Sequence, residues 1–240
     1  MVTELCKKAK KFQTDKVQYG YTVVYSDYFE GMRDQKTNIF EIGICKGGSL
    51  KMWEDYFSEG AVHAMDFAEN GSMRISAGLI DSLNNDRIKT FIGDQNERKD
   101  LKSCMDHMNT EYDIIIDDGH HFQSPQQVSW GFLFNKLKSG GIYVIEDICT
   151  IWNMKNGSEW GQSDRVNYTD CTTTVLEVFN KTGKIKSPYM TAEEISYLEE
   201  NIESIDILYP KQQRRGEVLG PITEGSPITG TSTLAMIRKR

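Results

Sequence analysis

The chain has 240 residues, with 28 Lys+Arg against 35 Asp+Glu and a formal net charge of −7. Hydrophobic residues make up 38% and charged residues 26%, which excludes a disordered chain and suits one domain with a sizeable core. The acid surplus excludes a general nucleic-acid binder, which needs a basic face against phosphates.

No apolar run reaches the roughly 18 residues of a membrane span. The opening segment MVTELCKKAKKF has no apolar stretch of the kind that makes a signal peptide, so a cytoplasmic setting is expected. Cys6, Cys45, Cys104, Cys149 and Cys171 are odd in number and scattered, with no C-x-x-C pair, so neither a disulfide framework nor a zinc ribbon is indicated. No repeat and no Pro- or Gly-rich linker divides the chain. It reads as one domain over 1–240, with an N-terminal helical segment (1–36) ahead of a core (37–240).

In chain order, residues 1–12 predict a helix. A second helix covers roughly 21–34, from the helical spacing of Tyr21, Val24, Tyr25, Tyr28, Phe29 and Met32. Asn38 to Ile42 is a short apolar strand, and the stretch from Gly47 to Phe57 has helical periodicity. Ala61 to Met65 is the next strand, closed by Asp66, and a helix follows over about 71–83. Ile88 to Ile92 is a third strand, closed by Gly93-Asp94. A helix near 97–108 leads into a fourth strand, Tyr112 to Ile116. A helix over about 124–137 then precedes a fifth strand, Ile142 to Ile145. Beyond residue 170 come a helix from Thr174 to Phe179, a polar helix from Thr191 to Asn201, and strands at Ile205–Tyr209 and Ser232–Ile237. Residues 210–231 read as an exposed loop. Strands alternating with helices predict an α/β fold with a doubly wound, mostly parallel sheet, closed by antiparallel late strands. Such a sheet binds ligands at the carboxyl ends of its strands.

The acids fall at those ends. The loop Glu41-Ile-Gly43-Ile-Cys-Lys-Gly47-Gly48 lies between the first strand and its helix. It fails the G-x-G-x-x-G spacing of a dinucleotide site, which disfavours a nicotinamide oxidoreductase. Taken alone it is equally a tight turn. Asp66 after the second strand can accept both hydroxyls of a ribose. Asp94-Gln95 after the third lies where an adenine edge could be met. Each is equally a solvated loop residue by itself; it is the three in order that point to a nucleoside cofactor.

This pattern resembles a class I S-adenosylmethionine-dependent methyltransferase. The resemblance implies that Gly43, Gly47 and Gly48 face the methionine part of the cofactor and that Asp66 holds the ribose. It also implies that Asp94 and Gln95 border the adenine, and that Glu41, Phe67 and Asp117 are further cofactor-binding residues. Ser49 either donates to the cofactor carboxylate or caps its helix.

The fourth strand ends in Asp117-Asp118-Gly119-His120-His121 and the fifth in Glu146-Asp147. Adjacent parallel strands would gather up to four carboxylates, which repel unless a cation or protons join them. Many oxygen donors suit a hard ion such as Mg²⁺. One acid alone is equally a helix cap. The joint pattern, with Lys11-Phe-Gln-Thr-Asp-Lys16, Tyr21, Tyr25 and Gly47-Gly-Ser-Leu-Lys-Met-Trp53, is similar to metal-dependent sugar O-methyltransferases of macrolide pathways and their cephalosporin-hydroxylase-like relatives. That resemblance spans nearly the whole chain. It implies Asp118, Glu146 and Asp147 as Mg²⁺ ligands and His121 as general base. His120 departs from the family pattern, where a serine is common.

Lys16 and Tyr21 read as part of a lid over the cofactor, with Lys16 equally readable as a solvated charge. His120, Thr150 and Trp152 are candidate acceptor contacts. The expected partner is a sugar-containing small molecule or glycan. No nucleic acid or membrane span is expected, and a homo-oligomer is left open. A catechol-like phenol O-methyltransferase and a non-catalytic S-adenosylmethionine-binding module are the alternatives.

Overall fold

The computed structural model describes residues 2–67, 77–148, 168–210, 213–214, 217–218 and 233–240. Nine strands and eight α-helices are described, most of them where hydrophobic periodicity places them. β1 (Ile39–Ile42), β2 (Val62–Asp66), β3 (Ile88–Ile92), β4 (Tyr112–Asp117) and β5 (Leu137–Ile145) alternate with helices. The helices between them are α3 (Gly48–Tyr56), α4 (Ala77–Leu83), α5 (Arg98–Met108) and α6 (Gln123–Leu133). Ahead of the sheet lie α1 (Glu4–Lys11), a 3₁₀ turn at Asp15–Val17 and α2 (Tyr21–Phe29). After it come α7 (Thr172–Thr182), α8 (Ala192–Asn201), β6 (Ile202–Leu208), the short strands β7 (Gln213–Arg214) and β8 (Glu217–Val218), and β9 (Leu234–Lys239).

The main sheet has seven strands in the order β3-β2-β1-β4-β5-β9-β6. The first five are mutually parallel. β9 runs antiparallel to both β5 and β6, so β6 points the same way as the first five strands. The late strands are therefore antiparallel to one another, as expected, and β9 alone is reversed. Strand order reverses between β1 and β4, which opens a crevice at their carboxyl ends.

Alternate residues of each strand feed two cores. Phe40, Ile115, Tyr143 and Ile237 pack under α5, α6, α7 and α8. Ile39, Ile114, Ile116, Val144 and Met236 pack under α1, α2 and α3. The N-terminal segment is thus a structural layer of the domain. Its first helix is pinned to α3 by Lys8 and Lys11, both 3.1 Å from Asp55 Oδ2. Gly48 permits a close approach there, since a β-carbon on it would lie 2.7 Å from the carbonyl oxygen of Phe12.

Several boundaries differ from expectation. The second helix ends at Phe29 and tightens into a 3₁₀ turn at Glu30–Met32. The sixth stops at Leu133, and β5 begins at Leu137 instead of Ile142. A register shift opposite Tyr112–Ile114, with Gly140 at φ +77°, lets the strand run through Lys138–Gly141. α7 is longer than the 174–179 expected. The loop expected over 210–231 contains the β7–β8 pair, with Gln213 opposite Val218. The first part of the helix expected over 71–83 lies outside the described residues. No helix among the described residues is long and apolar enough to cross a membrane.

Candidate active site

The carboxyl ends of β1, β4 and β5 bring five acids to the crevice. The pairing of Asp117 with Ile145 sets Asp118 beside Glu146, and the Glu146 amide donates to the Asp117 carbonyl at 2.9 Å. Glu41 comes from β1, one strand away, and is buried.

Four of these acids, with His121, form two groups that share Asp118. The inner group is Glu41, Asp118 and Glu146; the outer group is Asp118, His121 and Asp147. In each, one ligand-type atom per residue lies within 4.8 Å of the others. Lys16 sits in the inner group. Its Nζ is 3.1 Å from Glu41 Oε1, 2.5 Å from Asp118 Oδ2 and 2.6 Å from Glu146 Oε1, and its side chain is 1% exposed. The outer group is open to solvent. His121 Nε2 lies 3.9 Å from Asp118 Oδ1 and 3.8 Å from Asp147 Oδ2, with side-chain exposures of 20–29%. Asp118 therefore turns one oxygen inward to Lys16 and the other outward to His121.

The N-terminal segment supplies two further contacts. Tyr21 donates to Asp147 Oδ1 at 2.5 Å, and Tyr25 donates to Glu146 Oε1. Glu41 is also bonded by Trp53 Nε1 at 3.2 Å and by the Ser49 hydroxyl. Burial works against the charge of Lys16, but Asp118, Glu146 and Glu41 outweigh it and hold the ammonium well above its usual range. One ammonium does not balance three carboxylates. Burial, reinforced by Asp118, accordingly pushes Glu146 well above the ordinary carboxylate range despite Lys16. Burial also raises Glu41 and Asp147, with Lys16 and His121 respectively opposing. The site therefore favours a further cation or a bound proton.

His121 and Asp147 adopt positive φ, 58° and 53°, although neither is glycine. Such backbone costs about 1–2 kcal/mol per residue and clusters at functional sites. It aims both side chains into the outer group. The neighbouring His120 points elsewhere, edge-on to Phe122 with ring centroids 4.3 Å apart.

The remaining sequence candidates are placed as follows. Asp66 Oδ2 accepts from the Ile44 and Cys45 amides at 2.6 and 3.3 Å, and Oδ1 accepts from the Phe67 amide at 2.7 Å. It thus holds the glycine loop in shape. Phe67, just after β2, and Ile92, at the end of β3, are exposed apolar side chains. Asp94 caps its own turn at the Asn96 amide, 2.8 Å away. Gln95 is buried and braces two loops, donating to Asp117 at 3.1 Å and accepting from the His120 amide at 2.8 Å. Asp117 is 1% exposed and receives Gln95, Ser129 and the Gly119 amide.

The β-carbon directions of the loop glycines point at protein. Gly43 faces the Asp118 carbonyl, Gly47 faces Leu83 and Gly48 faces Phe12. Any ligand would meet their main chain. Ser49 does not cap its helix, because Gly47 is the N-cap. Lys16 and Tyr21, read as part of a lid, engage the carboxylates, and Lys16 is no solvated charge. Thr150 and Trp152 lie outside the described residues. Sequence reasoning left Tyr25, Trp53 and Ser129 out of the site. Tyr25 and Trp53 carried a signal, through the family-like segments that contain them; Ser129 carried none.

Both groups offer the chemistry that a hard divalent ion selects, namely converging carboxylate oxygens. The outer one is accessible and lacks a lysine, so its residues fit such an ion.

No protein-family model matches the chain. It is 33% identical over 137 residues to the 8-demethyl-8-alpha-L-rhamnosyl tetracenomycin-C 2'-O-methyltransferase of Streptomyces olivaceus, covering 54% of this chain and 33% of that protein. It is 32% identical over 139 residues to the mycinamicin VI 2''-O-methyltransferase of Micromonospora griseorubida, covering 55% and 32% respectively. The matches thus span about a third of the length of these relatives. Among solved structures, the MycE methyltransferase in complex with Mg, SAH and mycinamycin VI superposes with a TM-score of 0.69 at 22% identity. That superposition covers 99% of this chain and 54% of MycE. The fold is that of the seven-stranded methyltransferases.

Proposed function

We propose that the chain transfers a methyl group from S-adenosylmethionine to a hydroxyl of a sugar-containing acceptor, with the help of a divalent cation such as Mg²⁺. The observation that carries this reading is the outer group of Asp118, His121 and Asp147 at the sheet's topological switch point. The names of the relatives support the acceptor class, and the Mg- and SAH-containing MycE complex supports the cofactors.

Asp118 and Asp147 would hold the cation, with Glu146 behind them. When bound, the cation would gather two neighbouring acceptor hydroxyls and lower the pKa of the attacking one, while S-adenosylmethionine supplies an activated methyl group. His121 Nε2 faces the same space and is the group placed to take the hydroxyl proton. Asp66 keeps acceptor capacity beyond its amide bonds and would meet the ribose hydroxyls. Phe67 and Ile92 offer apolar surface to the adenine, bordered by Asp94. The main chain of Gly43 to Gly48 would line the methionine part. The protein's chief contribution is to position two reactants. A cytoplasmic location belongs to the same proposal.

The test separates binding from chemistry. His121→Ala should lower turnover about 100-fold or more, while S-adenosylmethionine affinity by calorimetry stays close to the parent's. Parent-like turnover would remove His121 from the mechanism.

A further inference from the structure

The inner carboxylate group already holds a cation of the protein's own. Lys16 is fully buried, and its ammonium lies within 3.1 Å of Glu41, Asp118 and Glu146. It reaches them from the 3₁₀ turn Asp15–Val17, where Thr14 accepts from the Lys16 amide at 3.5 Å. The surrounding layer is tied to α3 and packed on the core, so this placement is built into the fold. The two acid groups share one carboxylate, an arrangement that would suit a pair of neighbouring divalent ions bridged by Asp118. One of the two positions is filled by a side chain.

We propose that Lys16 is a positioning residue that takes the place of a second metal ion: it neutralises the inner group, turns Asp118 Oδ1 out toward His121 and Asp147, and limits the site to one divalent cation. This rests on the metal reading above and deepens it. Three clustered carboxylates, two of them fully buried, are costly without a partner cation. Replacing the ammonium by a neutral side chain leaves a vacated, oxygen-lined position beside the outer one. A hard divalent ion fits such a position. A single ion would act on the acceptor through the outer group.

Mn²⁺ is the probe. The full chain in mildly alkaline buffer is titrated with Mn²⁺, and the free ion is counted by its electron paramagnetic resonance signal. The parent should bind one ion per chain. Lys16→Met and Lys16→Gln should each bind two, with spin coupling between the bound ions. Lys16→Arg, which keeps the charge, should stay at one. Circular dichroism establishes that each variant is folded. Two ions on the parent or on Lys16→Arg would overturn the proposal. So would a folded Lys16→Met or Lys16→Gln that binds one ion or none. Should neither neutral variant fold, the counts on the parent and Lys16→Arg decide. No ion on the parent would overturn the metal reading as well. One ion on every form would overturn only the role of Lys16.

Discussion

Gly43→Ala is expected to damage both stability and the site. Gly43 has φ +96°, and a β-carbon on it would lie 2.1 Å from the carbonyl oxygen of Asp118 and 2.8 Å from its carbonyl carbon. Ordinary nonbonded contacts are near 3.5 Å, so the ends of β1 and β4 would have to part by about 1 Å. The left-handed backbone alone costs alanine about 1 kcal/mol. Forcing the strand ends apart adds about 1–3 kcal/mol. The sum is about 2–4 kcal/mol. Gly140→Ala isolates the first contribution, because Gly140 has φ +77° with nothing within 4 Å of its would-be β-carbon. It should cost only about 1 kcal/mol. Urea unfolding followed by circular dichroism measures both. Asp118 moves with its own carbonyl, so Gly43→Ala should also weaken Mn²⁺ binding, and Gly140→Ala should leave it alone. Equal losses of stability for the two variants, with unchanged Mn²⁺ affinity, would refute the close-approach argument.

Other consequences follow from parts of the fold away from the crevice. His63 is buried on β2, where its Nδ1 lies 2.9 Å from the Tyr112 hydroxyl, and burial, with Lys89 and His107, pushes its pKa from 6.5 down to about 4. The folded state thus refuses a proton that the unfolded chain accepts. The stability His63 allows is complete above pH 6.5 and is lost as pH falls toward about 4, by about 1 kcal/mol per pH unit. His63→Leu should remove that slope, and a parent-minus-variant stability difference that is flat with pH would contradict it. Arg98 joins α5 to α8 by two bonds to Glu194, at 2.8 and 2.7 Å, and one to the Tyr189 carbonyl at 2.7 Å. The pair is partly exposed, so Arg98→Ala should cost about 1–2 kcal/mol in urea unfolding, and no loss at all would show that the bonds are not formed in solution.

The strands β1, β2 and β4 were legible because they are buried on both faces and read as apolar runs, as in Tyr112-Asp-Ile-Ile-Ile116. The early start of β5 was hidden because Lys138-Ser-Gly-Gly141 looks like a turn; only the pairing of Leu137 with Tyr112 makes it strand. The start of β6 at Ile202 was hidden because no Gly or Pro separates it from α8. The acids at the strand ends were legible one by one, and their gathering followed from parallel pairing. The position of Lys16 was not. Its partners Asp118 and Glu146 are 102 and 130 residues away, and no local pattern marks a lysine that will be buried. The glycines were read for a ligand, yet their missing β-carbons are required by neighbouring protein. Spacing shows that a backbone approaches closely but does not show what approaches it.

The most direct test of the account is methyl transfer itself. Purified chain is incubated with methyl-labelled S-adenosylmethionine and a panel of rhamnosylated and deoxysugar glycosides, beside catechol-like phenols. Each reaction is run in EDTA and again after Mg²⁺ is restored. Label is expected on a glycoside hydroxyl, abolished by EDTA and recovered with Mg²⁺, with none on the phenols. Transfer that ignores the chelator, or label confined to phenols, would contradict it.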